Sequence, residues 1–70
     1  MSTTDLVRMV NQIAVNQSHL STDDAAALVA EHLKMFWAPA MLRDLLDAVA
    51  SGDAELNEVA QQAVQQLQPV

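Results

Sequence analysis

The stretch Met35-Phe36-Trp37-Ala38-Pro39-Ala40-Met41 decides how this chain folds. It holds the only Trp, the only Phe and one of the two prolines. Aromatic side chains bury the largest areas of any residue, and a 70-residue chain without Tyr has few of them to place. The position before a proline disfavours helical backbone, so a helix arriving from upstream stops at Trp37 or Ala38. Pro39 suits the first position of the next helix, where its missing N–H is no loss. The stretch reads as a helix–corner–helix junction, with Phe36, Pro39 and Met41 setting the corner. Both rings are expected to pack inward. Trp37 lies toward the edge of its stripe, where it would also serve as an interface anchor.

Helical periodicity extends from the corner in both directions. Upstream, Ala25, Leu28, Val29, His32, Leu33 and Phe36 line one face, with Ala27, Glu31 and Lys34 on the other. This helix opens on Ser21-Thr22-Asp23-Asp24, a capping signal that puts acids at the positive end of the helix dipole. Downstream, Met41, Leu42, Leu45, Leu46 and Val49 form a stripe, with Arg43, Asp44 and Asp47 outside. Ser51-Gly52 ends that helix, since glycine readily takes the left-handed conformation of a C-cap. A first helix carries Leu6, Met9, Val10 and Ile13, with Thr4 as N-cap and Asp5 in its first turn, and fades near Asn16–Ser18. A fourth, capped by Asp53, carries Leu56, Val59, Ala60, Ala63 and Leu67, with Val64 flanking. Glu58, Gln61, Gln62, Gln65 and Gln66 fall to solvent, and Pro69 closes the chain. No segment alternates with period two over strand length. The expected fold is all-α: one domain over residues 1–70, a small bundle of three to four short helices.

Size and composition narrow the function classes. The apolar fraction is 51%, but much of it is alanine. A core of this size rarely contributes more than about 3–5 kcal/mol. No cysteine is present to add disulfides, which makes a partner, or a second copy, the natural supplement. Nine acidic residues against three basic give a net charge of −6. Nucleic-acid binding needs a basic stripe, and Arg8, Lys34 and Arg43 are scattered singly. Anionic membrane surfaces would repel the chain, and no apolar run approaches the ~20 residues of a membrane span. Met1-Ser2-Thr3-Thr4-Asp5 has no basic and then apolar character of a secretory signal. The expectation is a cytoplasmic protein bound to neither nucleic acid nor membrane.

Catalytic material is sparse. Ser18 and His19 are adjacent, but chain neighbours do not face each other as nucleophile and base must. His19 and His32 are thirteen positions apart, and nothing in their spacing with Asp23 and Asp24 asks for zinc. His32 reads as a hydrogen-bonded histidine in a core or interface. Asp44 and Asp47 share a helix face without an apolar pocket to raise either pKa. A single glycine excludes a glycine-rich phosphate loop. Small acidic four-helix character also fits acyl carrier proteins, but Ser18, Ser21 and Ser51 all lack the Asp-Ser-Leu setting of the modified serine. No catalytic, cofactor-binding or metal-binding residue is assigned. The outward face of the first helix remains: Arg8, Asn11, Gln12 and Val15 cluster there. Arg gives directional hydrogen bonds, Asn and Gln pair with backbone, and Val supplies a small dry centre. These four and Trp37 are the candidate partner-binding residues.

Leu6-Val7-Arg8-Met9-Val10-Asn11-Gln12-Ile13-Ala14 resembles the opening of the delta subunit of NAD-dependent, molybdenum-containing formate dehydrogenases. That family typically reads Leu-Val-Arg-Met-Ala-Asn-Gln-Ile, and Val10 here replaces the usual Ala. Val29 to Met41 is similar to the family's helix leading into Phe-Trp-x-Pro-x-Met. Leu45-Leu46, Gly52 and Leu56 follow in the family's order. The chain departs at the Pro-x-Met turn, where the family often has basic residues: Ala40 and Leu42 stand here, with Arg43 one place later. The resemblance implies a noncatalytic accessory subunit without its own cofactor. Its partners would be the larger formate dehydrogenase subunits, the molybdopterin-bearing catalytic subunit first. It would support assembly, stability or cofactor insertion. The alternative is a self-assembling helical module, such as a homodimer, unrelated to formate oxidation.

Overall fold

The computed structural model describes residues 2–67. They form four helices: α1 (Thr3–Val15), α2 (Thr22–Phe36), α3 (Pro39–Ala50) and α4 (Glu58–Leu67). Among the described residues there is no strand. The fold is all-α, as the periodicity predicts; Pro69 lies outside the described residues.

Local chemistry sets most helix ends. Ser21 Oγ accepts the Asp24 N–H at 3.2 Å and caps α2. The cap of α1 is Ser2, whose Oγ accepts the Asp5 N–H at 3.2 Å, whereas the expected cap Thr4 lies inside the first turn. Trp37 (φ −90°, ψ 138°) and Ala38 (φ −66°, ψ 151°) are both extended, and Pro39 opens α3. The end of α3 is a Schellman motif. The Asp53 N–H donates to the Ala48 carbonyl at 2.9 Å, and the Gly52 N–H donates to Val49 at 3.2 Å. Gly52 sits at φ 80°, a conformation open to glycine at little cost.

The start of α4 departs from expectation. Asp53 does not cap it; its carboxylate accepts the Ser51 hydroxyl at 3.1 Å. The chain runs on without helix to Asn57, whose Oδ1 accepts the Ala60 N–H at 2.9 Å. Asn57 is therefore the N-cap. Leu56 lies before the helix, half-buried against the core.

The core joins Leu6, Val10 and Ala14 of α1 to Ala26, Val29, Ala30 and Leu33 of α2, with Trp37, Leu45, Ala60, Ala63 and Val64. Helix α2 packs most extensively on α4, and α1 touches the other three helices. The buried faces of α2 and α4 are mostly alanine, which lets helix axes approach closely. Helix α3 rests mainly on α1; it buries Leu45 and Ala48 fully, while Met41, Leu42, Leu46 and Val49 stay half-buried. Among the described residues no polar or charged side chain is buried.

Two expectations about α2 are corrected. Its buried face is Ala25, Ala26, Val29, Ala30 and Leu33, while Leu28, His32 and Phe36 face water. The helix is rotated so that its smaller residues meet α4. The two rings also part: Trp37 is 7% exposed and Phe36 68%. Extended backbone at Trp37 turns its side chain back under the bundle, whereas Phe36, in the last helical position, continues the outer face. Trp37 is thus a core residue and not an exposed anchor.

Trp37→Ala should remove about 3–5 kcal/mol, most of the stability of a domain this small. Phe36→Ala should change it by no more than about 0.5 kcal/mol. Urea titration followed by circular dichroism measures both.

Candidate docking surface

On α1 the exposed face is real but narrower than the sequence pattern. Arg8, Gln12 and Val15 reach solvent, Val15 at 55% exposure. Gln12 Nε2 donates to Asn16 Oδ1 at 3.2 Å along the same helix. Asn11 is used differently. Its Nδ2 donates to the Glu55 carbonyl at 2.8 Å, and its Oδ1 accepts the Asn57 N–H at 3.0 Å. Asn57 Nδ2 donates in return to the Asn11 carbonyl at 3.2 Å. Both ends of the Asn11 amide are therefore engaged within the chain. It ties α1 to the segment that leads into α4.

Arg8 lines an open groove of about 850 Å³ between α1, α3 and the segment after α3. Asp44, Asp47, Asp53 and Glu55 line it too. Four carboxylates and one guanidinium favour cationic groups over anions. Among the described residues no cluster of His, Cys, Asp or Glu is arranged to hold a metal ion. Ser18 and His19 lie together in the exposed turn after α1.

A surface that the sequence reading did not isolate lies on α2. Leu28 is 46% exposed, Met35 67% and Phe36 68%. His32 is exposed among them, with ring centroids of His32 and Phe36 4.9 Å apart at a tilt of 43°. These residues occupy i, i+4, i+7 and i+8, one face of a helix. Their signal was present in the sequence. The apolar residues of α2, with Ala and Trp37 included, cover an arc of roughly 200°, about twice what a one-sided helix requires. Half of that arc is covered within the chain. The other half is this stripe. Phe36 alone leaves two-thirds of a ring surface of roughly 150–250 Å² in water. At ~25 cal/mol per Å² that forgoes about 3 kcal/mol of burial.

Residues 5–64 match the family model of the NADH-dependent formate dehydrogenase delta subunit FdsD. The chain belongs to that family. The match runs from the first turn of α1 into α4 and takes in Arg8, Asn11, the α2 stripe and the Phe36–Met41 corner. No curated protein and no solved structure matches the chain. A delta subunit of formate dehydrogenase has the other subunits of that complex as its partners. No helix among the described residues is long and apolar enough to cross a membrane.

In this delta subunit the Asn11 amide is a structural tie, which mutation can expose. Asn11→Ala should destabilise the fold by about 1–3 kcal/mol, because it strips partners from the Glu55 carbonyl and the Asn57 amide. Asn57→Ala should cost a similar amount through the tie and the cap. The double variant should cost clearly less than the two together, as measured by urea unfolding of all three.

Proposed function

We propose that this delta subunit is a noncatalytic accessory chain that docks by its helix surfaces on the larger formate dehydrogenase subunits. The molybdopterin-bearing catalytic subunit is the first candidate partner, and the cytoplasm the compartment. Its role is to support assembly, stability or cofactor insertion. The observation that carries this reading is the one-sided packing of α3. Met41, Leu42, Leu46 and Val49 remain half-buried, although a chain this short needs all the burial it can find. A partner that covers such side chains stabilises the folded delta chain by mass action, and is held in one conformation in return. Arg8, Gln12 and Val15 form the contact on α1. The guanidinium supplies directional hydrogen bonds, and Val15 offers apolar contact at the end of the helix. Asn11 supports that face from behind by fixing the segment before α4.

The deciding experiment purifies the formate dehydrogenase made with and without this chain. Subunit composition, metal and pterin content, and formate oxidation are then compared. The expected result is a preparation without the chain that is poorer in cofactor or in assembled catalytic subunit, with activity reduced in proportion. Equal composition and equal activity would overturn the role. Arg8→Ala with Gln12→Ala should weaken co-purification about tenfold, the effect of losing a directional contact, at unchanged helicity.

A further inference from the structure

We propose that the exposed stripe Leu28, His32, Met35 and Phe36 on α2 is the dry centre of the docking interface, and that it seats in an apolar groove of a larger formate dehydrogenase subunit rimmed by Arg or Lys. This rests on the reading of the chain as a docking subunit and names the surface and the chemistry opposite it. The stripe is ordered before binding. It stands on a regular helix of fifteen residues, and the His32 ring lies against Phe36. A preset aromatic loses little freedom on contact, and a central aromatic in a desolvated pocket is the usual source of binding energy.

Area argues for a larger, concave occupant over a second copy. The four side chains expose on the order of 400 Å² between them. Two copies pairing by this stripe alone would bury about 800 Å² in total, the scale of a lattice contact, against about 1,600 Å² for a stable complex. A groove can close around the stripe and continue onto Ala38, Pro39 and Ala40, which are exposed beside it in the chain. Charge points the same way. Asp24 and Glu31 border the stripe on its solvent side, at positions i−4 and i+3 from Leu28. The whole chain carries −6. A second copy brings the same negative field, which opposes association, whereas a basic rim complements it.

The test co-expresses tagged delta chain with the larger formate dehydrogenase subunits, then measures affinity with the purified proteins. The delta chain is wild type, Phe36→Ala, Met35→Asp with Phe36→Asp, Glu31→Lys, or Gln65→Ala as an exposed control on α4. Circular dichroism and thermal melting of each variant establish that it folds. Phe36→Ala should weaken binding about tenfold or more, and the double Asp variant should abolish it. Glu31→Lys should weaken it by several-fold at low salt and less at high salt. Gln65→Ala should bind as wild type. If wild type binds and the Phe36 and Met35 variants bind equally well, the stripe is not the interface, and the docking reading survives through another face. If wild type does not bind any larger subunit, the docking reading falls and the stripe with it. A wild-type dimer in sedimentation that the double Asp variant dissolves would assign the stripe to a second copy and overturn the proposal.

Discussion

Helices α2 and α4 share the most extensive contact in the chain, and the faces they bury are built largely of alanine. Small side chains give little hydrophobic area each, but they allow close approach, and interiors reward dense packing more than bulk alone. That constraint fixes the rotation of α2. Ala26 and Ala30 point inward with Val29 and Leu33, so larger neighbours on the same helix must point elsewhere. Leu28, Met35 and Phe36 reach water because the inner face is chosen for fit. The outward stripe is thus a direct consequence of how the bundle closes.

The second constraint is polar. The chain leaves α3 through a Schellman motif at Gly52 and would have little to direct it toward α4. Asn11 supplies that direction from α1, with one amide end on the Glu55 carbonyl and the other on the Asn57 N–H. Asn57 both returns a hydrogen bond to α1 and caps α4. Two asparagines 46 positions apart therefore set where the last helix begins. No buried charge is involved, and among the described residues no buried side-chain nitrogen or oxygen lacks a partner. A small protein gains from this economy, because an unpaired polar atom would cost a sizeable part of its stability.

These two constraints explain what could be read from the sequence and what could not. Capping at Ser21, the break before Pro39 and the stop at Gly52 are local chemistry, decided within a few residues. All three are legible in the chain. The stripes of α1 and α3 are also legible, because each helix has one apolar face. The apolar arc of α2 is too wide for periodicity to choose a centre. Counting Leu28, His32 and Phe36 as core follows side-chain size, while the structure follows backbone approach. The role of Asn11 depends on a partner 46 positions away, so no local pattern reveals it. Asn11 looks like a surface residue because it is one by helical phase; its use is settled by the segment that comes to rest beside it. The start of α4 is misread for the same reason: Asp53 has the chemistry of a cap, but the chain is held in non-helical form until Asn57.

On the proposed docking, stability and binding in this chain draw on the same surface. The largest aromatic is inside and the other aromatic outside, and four of the five larger apolar residues of α3 are only partly covered. A monomer that turned Phe36 inward would need to separate α2 from α4, and would lose the dense alanine contact that organises the rest. Leaving Phe36 and Met35 out keeps the bundle closed and presents a rigid apolar ridge to whatever covers it. A net charge of −6 opposes the approach of a second copy of the same chain to that ridge. Membership of the delta-subunit family supplies the larger proteins that the ridge is suited to meet. On the proposed docking, the apolar surface that this small core leaves uncovered is the surface a larger subunit would cover.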